Sequence, residues 1–109
     1  MPYNTELEIK VDRLISHPER FEKKKMFGGV CYLLRGNMAL GIHKQALIIR
    51  TSPEQAAEWV RNDLARPFDI TGRPMKGWMM FPPEKIAGDQ QLLDLLNMSL
   101  DFVNTLPGK

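Results

Sequence analysis

The segment from Val30 to Arg50 constrains the fold more than any other. Apolar side chains alternate along it, and two pairs of turn-forming residues, Gly36-Asn37 and Lys44-Gln45, divide it into three short runs. A Gly-Asn pair tolerates the positive φ that a two-residue hairpin turn requires. A turn there sets Arg35 against Met38, Leu33 against Leu40 and Cys31 against Ile42. A second turn at Lys44-Gln45 sets Ile42 against Leu47 and Leu40 against Ile49. Both registers place Cys31, Leu33, Leu40, Ile42, Leu47 and Ile49 on one face, and a one-residue slip in either would destroy that agreement. The other face then carries Tyr32, Leu34, Ala39, Gly41, His43, Ile48 and Arg50, a mixed surface. Upstream, Lys24 to Phe27 extends the first strand, with Gly28-Gly29 as a bulge or a point of close backbone approach.

The flanking segments change period. Thr5 and Glu8 have capping-box spacing, and Leu7, Val11, Leu14 and Ile15 recur on a helical stripe that Pro18 ends near Ser16. Ser52-Pro53-Glu54-Gln55 is a second helix start, with Ser52 as N-cap and Pro53 at the first helical position. Ala56, Ala57, Trp59 and Val60 supply its buried side, and it stops before Pro67. Phe68 to Ile70 reads as a short strand and Thr71 to Pro74 as a loop. Met75 to Phe81 reads as another strand, with Met75, Met79 and Phe81 opposed to Trp78 and Met80. A last helix runs from Asp89, as N-cap, to about Leu106. Its apolar residues spread over roughly 220° of the helical wheel, where a surface helix needs about 100°. That width places it across the sheet and against the first helix, with another subunit as the alternative cover for part of it. The order is α-β-β-β-α-β-β-α, a two-layer α+β domain over residues 1–109 with a mainly antiparallel sheet.

Composition enters as a check. A chain of 109 residues, 43% hydrophobic and 26% charged, can bury a core and is neither disordered nor collagen-like. One cysteine forms no internal bridge. No basic-then-apolar leader and no apolar run of about 20 residues occurs, so the expectation is a cytoplasmic protein without membrane contact. Net charge is +2, and the basic excess lies in the first half around Lys23, Lys24 and Lys25. One short run of this kind usually solvates a strand edge; nucleic-acid binding stays an alternative.

Catalytic patterns are missing from the sequence. Cys31, the lone thiol, falls among core residues, and neither His17 nor His43 has a partner at metal-ligand spacing. No nucleophile elbow, phosphate loop or zinc-protease helix is present. The expectation is therefore a non-enzymatic domain with no catalytic residue, no metal and no cofactor. The one chemical cluster is cationic: Arg50, Arg66, Arg73 and Lys76 sit at strand ends and could hold an anion, arginine being suited to phosphate or carboxylate.

Lys24-Lys25-Met26-Phe27-Gly28-Gly29, followed by an apolar strand and Gly36-Asn37-Met38, resembles the TfoX/Sxy N-terminal domain family. The segment from Arg66 through Thr71-Gly72-Arg73-Pro74 to Trp78 resembles the matching stretch of its short, stand-alone members. The resemblance runs from about Glu6 to Leu106. It implies an α-β(3)-α-β(2)-α fold akin to secretion chaperones, with Met26, Phe27, Gly28, Gly29, Thr71, Gly72 and Pro74 as structural motif residues. Longer members regulate natural competence and carry a second, C-terminal domain; the short ones have no established activity or catalytic residue. The leading expectation is a regulatory or interaction domain that contacts a protein partner or a second copy through an apolar helix or strand edge. The alternative is a module that binds a small anion or nucleic acid.

Overall fold

The computed structural model describes residues 4–15, 20–26, 29–68, 76–86 and 88–107. Its elements are α1 (Thr5–Leu14), β1 (Phe21–Met26), β2 (Gly29–Leu34), β3 (Asn37–His43), β4 (Ala46–Arg50), α2 (Pro53–Arg61), β5 (Arg66–Pro67), β6 (Trp78–Phe81) and α3 (Asp89–Val103). A 3-10 turn at Pro83–Lys85 precedes α3. The strands form one antiparallel sheet in the order β1-β2-β3-β4-β6-β5. The class is α+β, with one strand more than the sequence pattern predicts. Lys24 to Met26 does not lengthen the next strand; it belongs to β1, which runs antiparallel to β2 with Met26 opposite Gly29. Gly29 lies so close to β3 that a Cβ would stand 1.9 Å from the Ile42 carbonyl oxygen. Only glycine fits there.

The β2–β3 hairpin also departs from the expected register, by one residue. Its turn is Arg35-Gly36, at φ 53° and 83°, with Leu34 opposite Asn37. Positive φ at both central residues is the geometry that matches strand twist. Farther along, Tyr32 faces Leu40 while Leu33 faces Met38, so β3 carries one extra residue, Ala39. This bulge lets Ala39 and Leu40 both turn toward the core. Past it Cys31 pairs with Gly41 and Val30 with Ile42. Cys31 and Leu33 thus leave the face assigned to them, and Val30 and Tyr32 take their places. Leu34 and Ala39 also join the core face. The second turn behaves as expected: Ile42 pairs with Leu47 and Leu40 with Ile49.

All three helices contribute to the core on that face. Val30, Tyr32, Leu40, Ile42, Leu47, Ile49, Met79 and Phe81 meet Leu7, Val11 and Ile15 from the α1 side, Ala56 from α2, and Leu92, Leu95, Leu96 and Val103 from α3. The wide apolar arc of α3 is used inside the chain: the helix packs on β3, β4 and α1. The caps differ in detail. Asn4, rather than Thr5, caps α1, its Oδ1 accepting from the Leu7 amide at 3.1 Å. Ser52 caps α2 as expected, accepting from the Gln55 amide at 3.2 Å. Asp89 is the first residue of α3 rather than its cap, and the residue before it, Gly88, offers no side chain. β5 comes before Phe68, where the predicted strand begins, and Asp69 and Ile70 of that strand lie outside the described residues; β6 begins at Trp78, and Met75, the predicted start, lies outside them as well.

Three side chains, making four hydrogen bonds, lock α3 and the chain just after it to the hairpin. The Ser99 hydroxyl, fully buried, donates to the carbonyl of the bulge residue Ala39. Arg35 Nη2 donates to the carbonyls of Asn104 and Leu106 at 3.0 and 3.1 Å, where helix-end acceptors lack intrahelical partners. Asn37 Nδ2 donates to the Pro107 carbonyl at 2.8 Å. Ser99→Ala removes the donor and leaves a buried acceptor, so urea unfolding should show a loss of about 1–3 kcal/mol. Gly29→Ala should cost more, because the clash is with backbone that cannot rotate away.

Candidate functional site

The four cations singled out from sequence do not share one location. Arg50 ends β4 and is half-buried. Its guanidinium lies over the Trp78 ring at 5.4 Å and the Phe102 ring at 5.9 Å, and Nη1 donates to the Met38 carbonyl at 3.3 Å. Those contacts use the charge to clamp α3 against the end of β4 and β6. Arg66 is opposite Met80, so its exposed side chain projects from the face away from the helices. Lys76 is exposed on the turn entering β6 and lines a cleft beside α2. Arg73 lies outside the described residues, as do Phe27, Gly28, Thr71, Gly72 and Pro74 of the motif. Met26 closes β1 and Gly29 opens β2.

The lysine run is divided by strand alternation. Lys23 faces the helix side, where Nζ meets Glu8 Oε2 at 2.8 Å and Asp12 Oδ2 at 3.0 Å and stands 5.3 Å over the Tyr32 ring. Tyr32, buried by the register, donates its hydroxyl to Asp12 Oδ1 at 2.7 Å. Lys24 projects from the opposite face, 3.8 Å from Glu22. Alternation therefore breaks the run into one α1 anchor and edge charges; it does not make a phosphate-binding stripe. The Lys23–Glu8–Asp12–Tyr32 group is the most connected polar cluster among the described residues, and it ties α1 to β1 and β2.

The sheet face on which no described helix packs is the less expected feature. Cross-strand pairing lines up Cys31, Gly41, Ile48 and Met80 along one row, with Leu33 and Met38 beside it. Phe68 stacks edge-on to His43 at 6.1 Å and tilted to Trp78 at 6.2 Å. Cys31, Ile48 and Phe68 are buried, while Leu33, Met38, His43, Trp78 and Met80 are half-buried. Burial pushes the Cys31 thiol pKa up, which keeps it protonated and unreactive near neutral pH. Among the described residues no group of three or more His, Cys, Asp or Glu is placed to hold a metal ion. No described helix is long and apolar enough to cross a membrane.

Sequence reasoning missed Arg61, which shares the α2 cleft with Lys76. The signal was present: Pro53, Ala56, Ala57, Val60 and Arg61 recur at one helical spacing, but both alanines read as core, which holds for Ala56 and not for the exposed Ala57.

Burial alone would lower the pKa of Lys23. Hydrogen bonds to Glu8 and Asp12, with their charges, outweigh it and hold the ammonium above the ordinary lysine value. Its contribution to stability is therefore complete below about pH 10.4, the unfolded value, and is lost as pH rises through the higher folded value. Urea unfolding across that range should reveal a decline that Lys23→Met lacks; the same decline in the variant would assign it to other groups.

Residues 13–103 match the TfoX N-terminal domain, and the chain belongs to that family. No curated protein and no solved structure matches it.

Proposed function

We propose that this member of the TfoX N-terminal domain family is a non-enzymatic interaction domain that works by protein contact through the helix-free face of its sheet. The observation that carries the reading is the chemistry of that face. Apart from His43, its half-buried side chains are apolar, Leu33 and Met38 on one side and Met80 and Trp78 on the other, around a buried row of Cys31, Gly41 and Ile48. Its charges stand at the two ends of the row, Lys24 on β1 and Arg66 on β5. An apolar centre with a polar rim is the anatomy of a protein interface, and methionine adapts its shape to a partner. The expected route of contact through α3 gives way to this one, because α3 spends its apolar surface within the chain.

A second copy is the partner we assign. Two such faces packed against each other bury both apolar centres, as sheets do in a sandwich. Sedimentation across low to high micromolar concentration should then show a monomer–dimer equilibrium. Met80→Lys should abolish it without moving the thermal midpoint by more than about 2–4 °C, a surface effect below about 0.5 kcal/mol. A strict monomer at high micromolar concentration would overturn the reading.

A further inference from the structure

We propose that the cleft between α2 and the β5–β6 pair binds a small amphipathic carboxylate, its apolar body along α2 and its anionic head at Arg61 and Lys76. This site shares Trp78 with the helix-free face, is otherwise made of different residues, and does not rest on that reading.

The helix presents two different stripes. One carries Trp59, whose ring packs edge-on to Phe81 at 5.9 Å in the core. The other, Pro53, Ala56, Ala57 and Val60, faces Pro67 of β5 and Trp78 of β6 across a cavity of about 330 Å³. The alanines make the space: larger side chains at 56 and 57 would fill it. That volume is at the small end of the range for ligand pockets, about 300–1,000 Å³, so the occupant is short.

Charge selects its chemistry. Among the described residues, the charged ones lining the cleft are Arg61 and Lys76, both exposed, and no carboxylate lines it. Neither cation is ion-paired among the described residues. Asp63, close in sequence to Arg61, is engaged instead by Lys85 at 3.5 Å. A ligand with an apolar chain uses the walls, and a terminal carboxylate adds charge-assisted hydrogen bonds that a neutral analogue lacks. The edge argues against an extended peptide. β5 spans two residues, and Pro67 has no N–H to donate to an added strand.

Titration of the labelled protein with decanoate, followed by NMR, tests this directly. Decanol supplies the same chain without charge, and inorganic phosphate supplies charge without the chain. Decanoate should shift Ala57, Val60 and the Trp78 indole saturably, and bind about tenfold more tightly than decanol. Phosphate alone should leave the cleft walls unshifted. The double variant Arg61→Gln/Lys76→Gln should bring decanoate down to the affinity of decanol. Ala57→Leu, at an exposed helical position, should keep the fold by circular dichroism and weaken both ligands. Four results would each overturn the proposal: equal binding of decanoate and decanol, shifts centred on Met38 and Met80, no saturation, or an acidic apolar peptide that shifts the cleft where decanoate does not.

Discussion

The rest of the structure depends on the bulge at Ala39 and its buried hydrogen bond to Ser99. A strand presents alternate residues to each face, so one extra residue in β3 decides which half of β2 looks toward the helices. With the bulge, Val30 and Tyr32 turn inward and Cys31 and Leu33 turn out. A bulge interrupts the ladder, and a buried carbonyl without a donor is costly. Ser99 supplies that donor from α3, so the helix that roofs the sheet also stabilises the irregularity that defines the roofed face. Tyr32 then carries the choice onward, because its inward ring lets the hydroxyl reach Asp12 and joins α1 to the same network as Lys23.

That parity separates two kinds of surface. The helix side is closed: α1 and α3 bury it mainly with leucine and valine and α2 with Ala56, Trp59 and Val60, and polar contacts at the edges fix their positions. The other side receives no described helix, and is rich in methionine and aromatic side chains. A flexible thioether packs less specifically than a branched aliphatic, which suits a surface that is covered part of the time. The cleft beside α2 is a third environment. It exists because small alanines occupy the helix stripe nearest the short edge strand β5.

Much of this was legible in the chain. The Lys44-Gln45 turn, the Ser52-Pro53 helix start and the alternation of Met79 and Phe81 against Trp78 and Met80 follow from local chemistry and appear as expected. The misreadings share a cause, which is competition from contacts distant in sequence. Asn37 reads as a turn residue because asparagine accepts positive φ, yet it is buried and holds the Pro107 carbonyl 70 residues away. Arg35 carries no turn signal at all, and takes the positive φ while reaching the end of α3. Shifting the turn by one residue and inserting Ala39 leave β2 one residue away from its expected register on β3. The pairing of β3 with β4 survives because the Lys44-Gln45 turn fixes it independently. Arg50 was legible as a strand-end cation but not as a clamp, since Trp78 and Phe102 come to it from two other elements.

The parity of β2 is open to one direct measurement. A soluble paramagnetic agent, added to dilute protein, relaxes side-chain methyl groups according to their exposure to solvent. Leu33 and Met38 should relax strongly, whereas Val30 and Leu40, their neighbours in sequence, should be protected. Strong relaxation at Val30 with protection at Leu33 would mean that β2 is turned over. The bulge, the burial of Tyr32 and the two-faced sheet built on them would then be wrong.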